Sequence, residues 1–127
     1  MQKSPTASSL KKKCEFDEVL NNGIKIVCSD FVLVASQSQT LDGPARLGLI
    51  VSRKVGESVE RNRIKRCVRT QFRLSSDKNL VGRDLVVIAR PSLTNFKKAK
   101  VSLKINTSFI ACLRRLSLKI DKEKSHS

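Results

Sequence analysis

"RLGLIVSRKVGESVERNRIKRCVRTQFR", residues 46–73, changes its period partway along. Its opening "RLGLIVS" is apolar and β-prone, which suits a strand, whereas from Ser58 onward the apolar residues recur at helical spacing. A helix turns 100° per residue, so Cys67, Val68 and Gln71 stay within about 60° of Ile64, with Phe72 flanking, and that stripe faces a core. Asn62, Arg66, Arg69 and Arg73 fall in one row on the opposite side, with Arg61 and Lys65 on one flank and Arg63 on the other. Ser58 is the expected N-cap, and Glu60 lies in the first turn, where the helix dipole favours an acid.

Downstream, "GRDLVVIAR" (82–90) is too short and too β-branched for a helix and is apolar on both faces, so it reads as an interior strand closed by Pro91. Strand, basic helix and strand in succession predict a parallel pair joined by that helix. Upstream, "EFDEVLNNG" (15–23) predicts a short helix carrying Phe16, Val19 and Leu20, stopped by Gly23 in the left-handed conformation. "IKIVCS" (24–29) and "FVLVAS" (31–36) follow as strands that are at least partly antiparallel. A long helix is expected over 95–118, with Phe96, Ala99, Leu103, Ile110 and Leu113 near one face, giving the order αβββαβα. Residues 1–9 and 119–127 lack apolar periodicity and are expected to be mobile segments flanking one folded unit at 10–118.

The chain of 127 residues fits one domain, and 39% hydrophobic content without Trp or Tyr means that aliphatic side chains fill its core. Against 26 basic residues stand 11 acidic ones, a net charge of +15 that calls for a polyanionic partner, nucleic acid first. Residues 53–73 hold eight of the basic side chains against Glu57 and Glu60, too concentrated for neutralisation by neighbours along the helix. Arginine's planar fork suits phosphate oxygens, and Asn62 adds a neutral donor and acceptor able to reach a base or a 2′-hydroxyl. Asn62 could also help position a metal-bound water, though RNA contact is the stronger expectation. Apolar runs such as "LVVIA" fall far short of the roughly 20 residues of a membrane span. With no secretory signal either, a cytoplasmic location and no membrane partner are expected. Cys14, Cys28, Cys67 and Cys112 form no CxxC pair and are expected to be core or half-buried thiols. The one histidine, His126, is second from the end, and the carboxylates show no spacing typical of a metal-ion nuclease. No catalytic or metal-ligating set is expected within this chain.

The 46–73 stretch, with the triplet Arg61, Asn62, Arg63 followed by "IKR", closely resembles the signature of the bacterial ribonuclease P protein subunit. "LKKKCEFDEVLNNG" and "GRDLVVIAR" resemble that family's first-helix segment and last strand, so the likeness spans roughly residues 10 to 115. The resemblance implies an α+β two-layer sandwich with a four-stranded mixed sheet and a left-handed βαβ crossover, against the common right-handed rule. It also implies an accessory role in an RNA enzyme: the RNA subunit holds most of the Mg²⁺ and cleaves at the 5′ end of mature tRNA. The implied partners are that RNA and precursor tRNA, with no stable protein partner.

By the same similarity Arg61, Asn62, Arg63, Lys65, Arg66 and Arg69 would face RNA, continued by Arg73 and extended by Arg53 and Lys54. A cleft between the first helix, the sheet and the basic helix would accept the single-stranded 5′ leader on aromatic platforms. Phe16 matches one platform, while Leu20 and Val34 stand where many members carry aromatics. A stacked base is worth about 1–3 kcal/mol, so a weaker grip on the leader is implied. Lys13 stands where a small polar cap is common, so the start of that helix is expected to fray.

Overall fold

The computed structural model describes residues 8–10, 13–37, 45–75, 82–95 and 101–125. Its elements run β1 (Ser8–Ser9), α1 (Lys13–Asn22), β2 (Ile24–Val27), β3 (Phe31–Gln37), β4 (Arg46–Ile50), α2 (Ser58–Leu74), β5 (Arg83–Ala89) and α3 (Val101–Ser125). Short 3-10 turns occupy Arg53–Val55 and Pro91–Asn95. The strands lie in the order β1-β4-β5-β3-β2, with β5 at the centre, as its two-sided apolar pattern predicts. β4 and β5 are parallel and joined through α2, while β3 runs antiparallel to both β5 and β2.

Strand alternation divides the apolar side chains between the two faces. On one face Phe31, Leu33, Ala35, Leu47, Leu85, Val87 and Ala89 meet Ile64, Val68 and Phe72 of α2 and Ile105, Phe109, Cys112, Leu116 and Ile120 of α3. On the other face Val34 and Val86 are covered by Val19 of α1 and by Leu10, with Phe16, Val32, Ile50 and Ile88 half-buried around them. The mixed α+β sheet of the expectation is therefore present, and α1 lies on the opposite face from α2 and α3.

Several local expectations need correction. The four expected strands gain a fifth, because Ser8–Ser9 pairs in parallel with Arg46–Leu47 and Leu10 N–H donates to Leu47 O at 2.9 Å. Leu10, which follows that strand, is buried. At the other end α3 continues to Ser125, past the expected boundary at 118, because fully buried Ile120 completes its apolar stripe. Lys119 Nζ also donates to Lys25 O on β2 at 3.0 Å. The phase of α3 was misplaced as well: Leu103 is 64% exposed and Ile110 40%, while Ile105, Phe109 and Cys112 point inward with Leu113. Phe96 and Ala99 lie outside the described residues, as does the 76–81 loop.

Gly23 does not take a positive φ; among the described residues the glycines that do are Gly56 and Gly82. Gly23 is required by close approach, since a Cβ there would come within 2.6 Å of Val34 Cγ1 and 2.7 Å of Val19 O. The cysteine expectation is corrected in part. Cys28, just after β2, and Cys112 on the buried face of α3 form a disulfide with Cα atoms 6.2 Å apart, while Cys14 and Cys67 are free. Their separation of 84 residues gave no hint of that proximity.

Candidate nucleic-acid interface

α2 begins one residue earlier in its capping than its sequence suggests. Glu57, not Ser58, is the N-cap, and the Glu57 N–H donates to Glu60 Oε1 at 3.0 Å. This places an acid against the exposed N–H groups of the first turn and fixes where the helix starts. From there the predicted polarity holds: Ile64, Val68 and Phe72 are buried, while Asn62, Arg66, Arg69 and Arg73 are exposed. The eleven steps from Asn62 to Arg73, at 1.5 Å each, give this row a length of about 16 Å. Arg63 and Lys65 are half-buried on its flanks. The described ion pairs of Arg46 with Glu15 and Asp84 lie on the other face of the sheet and do not involve the row.

Arg61 differs from its neighbours. It lies about 60° from Ile64, is half-buried, and its Nε donates to Gly56 O at 3.2 Å. The side chain thus reaches back to the turn preceding the helix. In that turn Val55 is buried, its N–H donates to Ser52 O at 3.1 Å, and the Gly56 N–H donates to Arg53 O at 3.2 Å. Arg53 and Lys54 stand exposed on it, at the N-terminal end of α2. Gly56 has φ +155°, and a Cβ there would lie 3.0 Å from Glu60 Cβ. Gly56→Ala is therefore expected to destabilise the fold by about 1–3 kcal/mol, read as a lowered midpoint in thermal or urea unfolding.

The opposite face of the sheet is apolar and only partly covered. Phe16 lies half-buried over Gly48: a Cβ on Gly48 would meet Phe16 Cε2 at 2.6 Å and Cζ at 2.7 Å. Val34 is 2% exposed beneath α1 and has no room to stack on a ligand, whereas Leu20 is 38% exposed. Ile50, Ile88, Val32 and Val27 are register partners in one row across four strands, and the first three are half-buried with Val27 exposed. Sequence reasoning did not single out this row. The available signal was that "FVLVAS" and "LVVIA" are apolar on both faces, whereas the helix predicted over 15–23 is short.

α1 is tied to this face by charge. Arg46 Nε and Nη2 donate to Asp84 Oδ1 and Oδ2, each at 2.8 Å, and Arg46 Nη1 donates to Glu15 Oε2 at 3.0 Å. Hydrogen bonding to Asp84 raises the Arg46 pKa above its ordinary value, so the guanidinium stays charged at any accessible pH. Among the described residues no three His, Cys, Asp or Glu side chains come together to hold a metal ion. Glu15 and Asp84 are themselves engaged by Arg46. No helix of the described residues is long and apolar enough to cross a membrane.

Comparison with known proteins bears on this surface. The Ribonuclease P family model matches residues 5–115. A ribonuclease P protein component from Geobacillus kaustophilus is 38% identical over 123 residues, covering 93% of this chain and 94% of that protein. One from Legionella pneumophila is 36% identical over 104 residues, covering 81% and 87%. The solved RNase P protein of Staphylococcus aureus superposes with a TM-score of 0.74 at 29% identity, over 86% of this chain and 94% of that one. The Thermotoga maritima protein gives 0.69 at 26%, over 85% and 96%. With its mixed sheet, its carboxylate-poor basic helix and these matches over most of its length, the chain belongs to the ribonuclease P protein family and is a protein subunit of that tRNA-processing ribonucleoprotein.

Proposed function

We propose that Asn62, Arg66, Arg69 and Arg73, flanked by Arg63 and Lys65 and extended by Arg53 and Lys54, bind the RNA subunit. Arg61 joins them chiefly by bracing the turn that carries Arg53 and Lys54. The 5′ leader of precursor tRNA lies on the other face, beside Phe16 and along Val32, Ile50 and Ile88. Cleavage is carried out by the RNA subunit, which holds the Mg²⁺; this chain binds and orients RNA, in the cytoplasm. The observation that carries the reading is the exposed Asn and Arg row on a helix whose other side is locked into the core.

Two consequences separate this from a generic RNA-binding module. Added to a bacterial ribonuclease P RNA at low Mg²⁺ with a leader-bearing precursor tRNA, the protein raises the cleavage rate, followed by gel analysis of the released leader. The protein without that RNA releases none. Equal cleavage by the RNA alone and by the mixture would sink the proposal.

A further inference from the structure

α1 is a ten-residue helix with one fully buried side chain, Val19, and a helix that short is unstable on its own. Its place over the sheet is therefore set by a few tertiary ties. Two of them meet the same strand. Glu15 reaches Arg46 on β4, and the next residue, Phe16, rests on Gly48, two positions further along and on the same face. Arg46 is itself fixed by the sheet, because Asp84, its register partner on β5, is buried and grips the guanidinium through both carboxylate oxygens. One edge of the fork is thus held by the sheet, and the remaining Nη1 is aimed at the helix.

We infer that the Glu15–Arg46–Asp84 chain is the device that sets the height and angle of α1 over the apolar sheet face, making Arg46 and Glu15 positioning residues for the leader. The inference rests on the reading of that face as the leader site. Planarity matters here: the guanidinium can engage two carboxylates at fixed angles, whereas a lysine at 46 would offer one mobile point charge. When Glu15 is released, the charged tie between the first turn of α1 and β4 is lost, and the wall beside Ile50 and Ile88 loosens. The α2 row lies on the other side of the sheet and is untouched.

The test uses the reconstituted holoenzyme with Glu15→Ala and Glu15→Gln. Glu15 is on the surface side of the chain, with its side chain 27% exposed, so its removal leaves the core intact, as an unchanged unfolding midpoint will verify. For each protein the KM is measured with a precursor carrying a leader of several nucleotides and with one carrying a single-nucleotide leader. Affinity for the RNA subunit is measured alongside.

The expected result is that Glu15→Ala raises the KM for the long-leader precursor by about 3- to 10-fold, with kcat, the short-leader KM and RNA-subunit affinity unchanged. Glu15→Gln, which keeps an acceptor for Arg46 Nη1, recovers part of the loss. If the wild-type protein favours the long leader and Glu15→Ala favours it equally, the positioning role is overturned and the leader site stands. An equal loss for both substrates also overturns it, as a general defect. If the wild type itself shows no preference for the long leader, the leader site falls, and the inference with it.

Discussion

Replacing Arg66, Arg69 and Arg73 together by alanine is expected to weaken binding to the RNA subunit by about two to four orders of magnitude at low salt, since each charge-assisted contact contributes on the order of 1–2 kcal/mol. Salt dependence distinguishes this from a folding defect. Each phosphate contact adds roughly 0.7 to 0.9 to the slope of log affinity against log salt, so three lost contacts flatten it by about 2 to 2.7. Between 50 and 200 mM salt the variant then loses roughly 20- to 40-fold less affinity than the wild type. All three side chains are exposed on the side of α2 away from Ile64, Val68 and Phe72, so the unfolding midpoint should scarcely move. Filter binding or fluorescence titration at several salt concentrations is the measurement. An unchanged slope would remove the row from the phosphate-binding set.

Phe109→Ala carries the largest expected loss of stability. Phe109 is fully buried and meets Phe31 edge to face, with ring centroids 5.7 Å apart and planes at 72°. It joins α3 to the centre of the sheet, and truncation leaves a cavity that rigid neighbours on two elements fill poorly. A loss of about 3–5 kcal/mol is expected, a large part of the 5–15 kcal/mol that a domain of this size typically has. Leu103→Ala, on the same helix but exposed, should change stability by no more than about 0.5 kcal/mol. Urea unfolding of the two variants checks the phase of α3 directly. Equal losses would mean that Leu103 shares the core.

That phase is where pattern reading failed, and the reason is physical. α3 carries aliphatic residues on several sides, including Leu103, Ile105, Ile110, Leu113, Leu116, Leu118 and Ile120, so more than one stripe can be drawn through it. The stripe that becomes buried is chosen by the sheet and by α2. In α2 the alternatives were few, because most positions away from Ile64, Val68 and Phe72 are charged or polar, and the basic row was legible for that reason. The central place of β5 was legible from its two-sided apolar pattern, and the family from the residues of α2 and its flanks.

Other features depend on neighbours that no local pattern reveals. Arg61 reads as one more exposed cation of its triplet, yet its position close to the buried stripe turns it toward Gly56 O. Arg46 and Asp84 lie 38 residues apart and become partners through the β4–β5 register. The proximity of Cys28 to Cys112 and the pairing of Ser8–Ser9 with β4 likewise arise only when the sheet assembles. The row of Ile50, Ile88 and Val32 needs both the register and the knowledge that α1 stops short of it.

The bond from Lys119 Nζ to Lys25 O has a bearing on solubility. β2 is one margin of the sheet, and an unprotected margin offers free carbonyl and N–H groups to a strand from another molecule. Here the last turns of α3 lie against that margin and occupy a carbonyl, with a lysine ammonium that an incoming strand would have to displace. The other margin, β1, is two residues long, too short to template pairing. Shortening α3 before Lys119 would therefore expose the β2 margin to self-association.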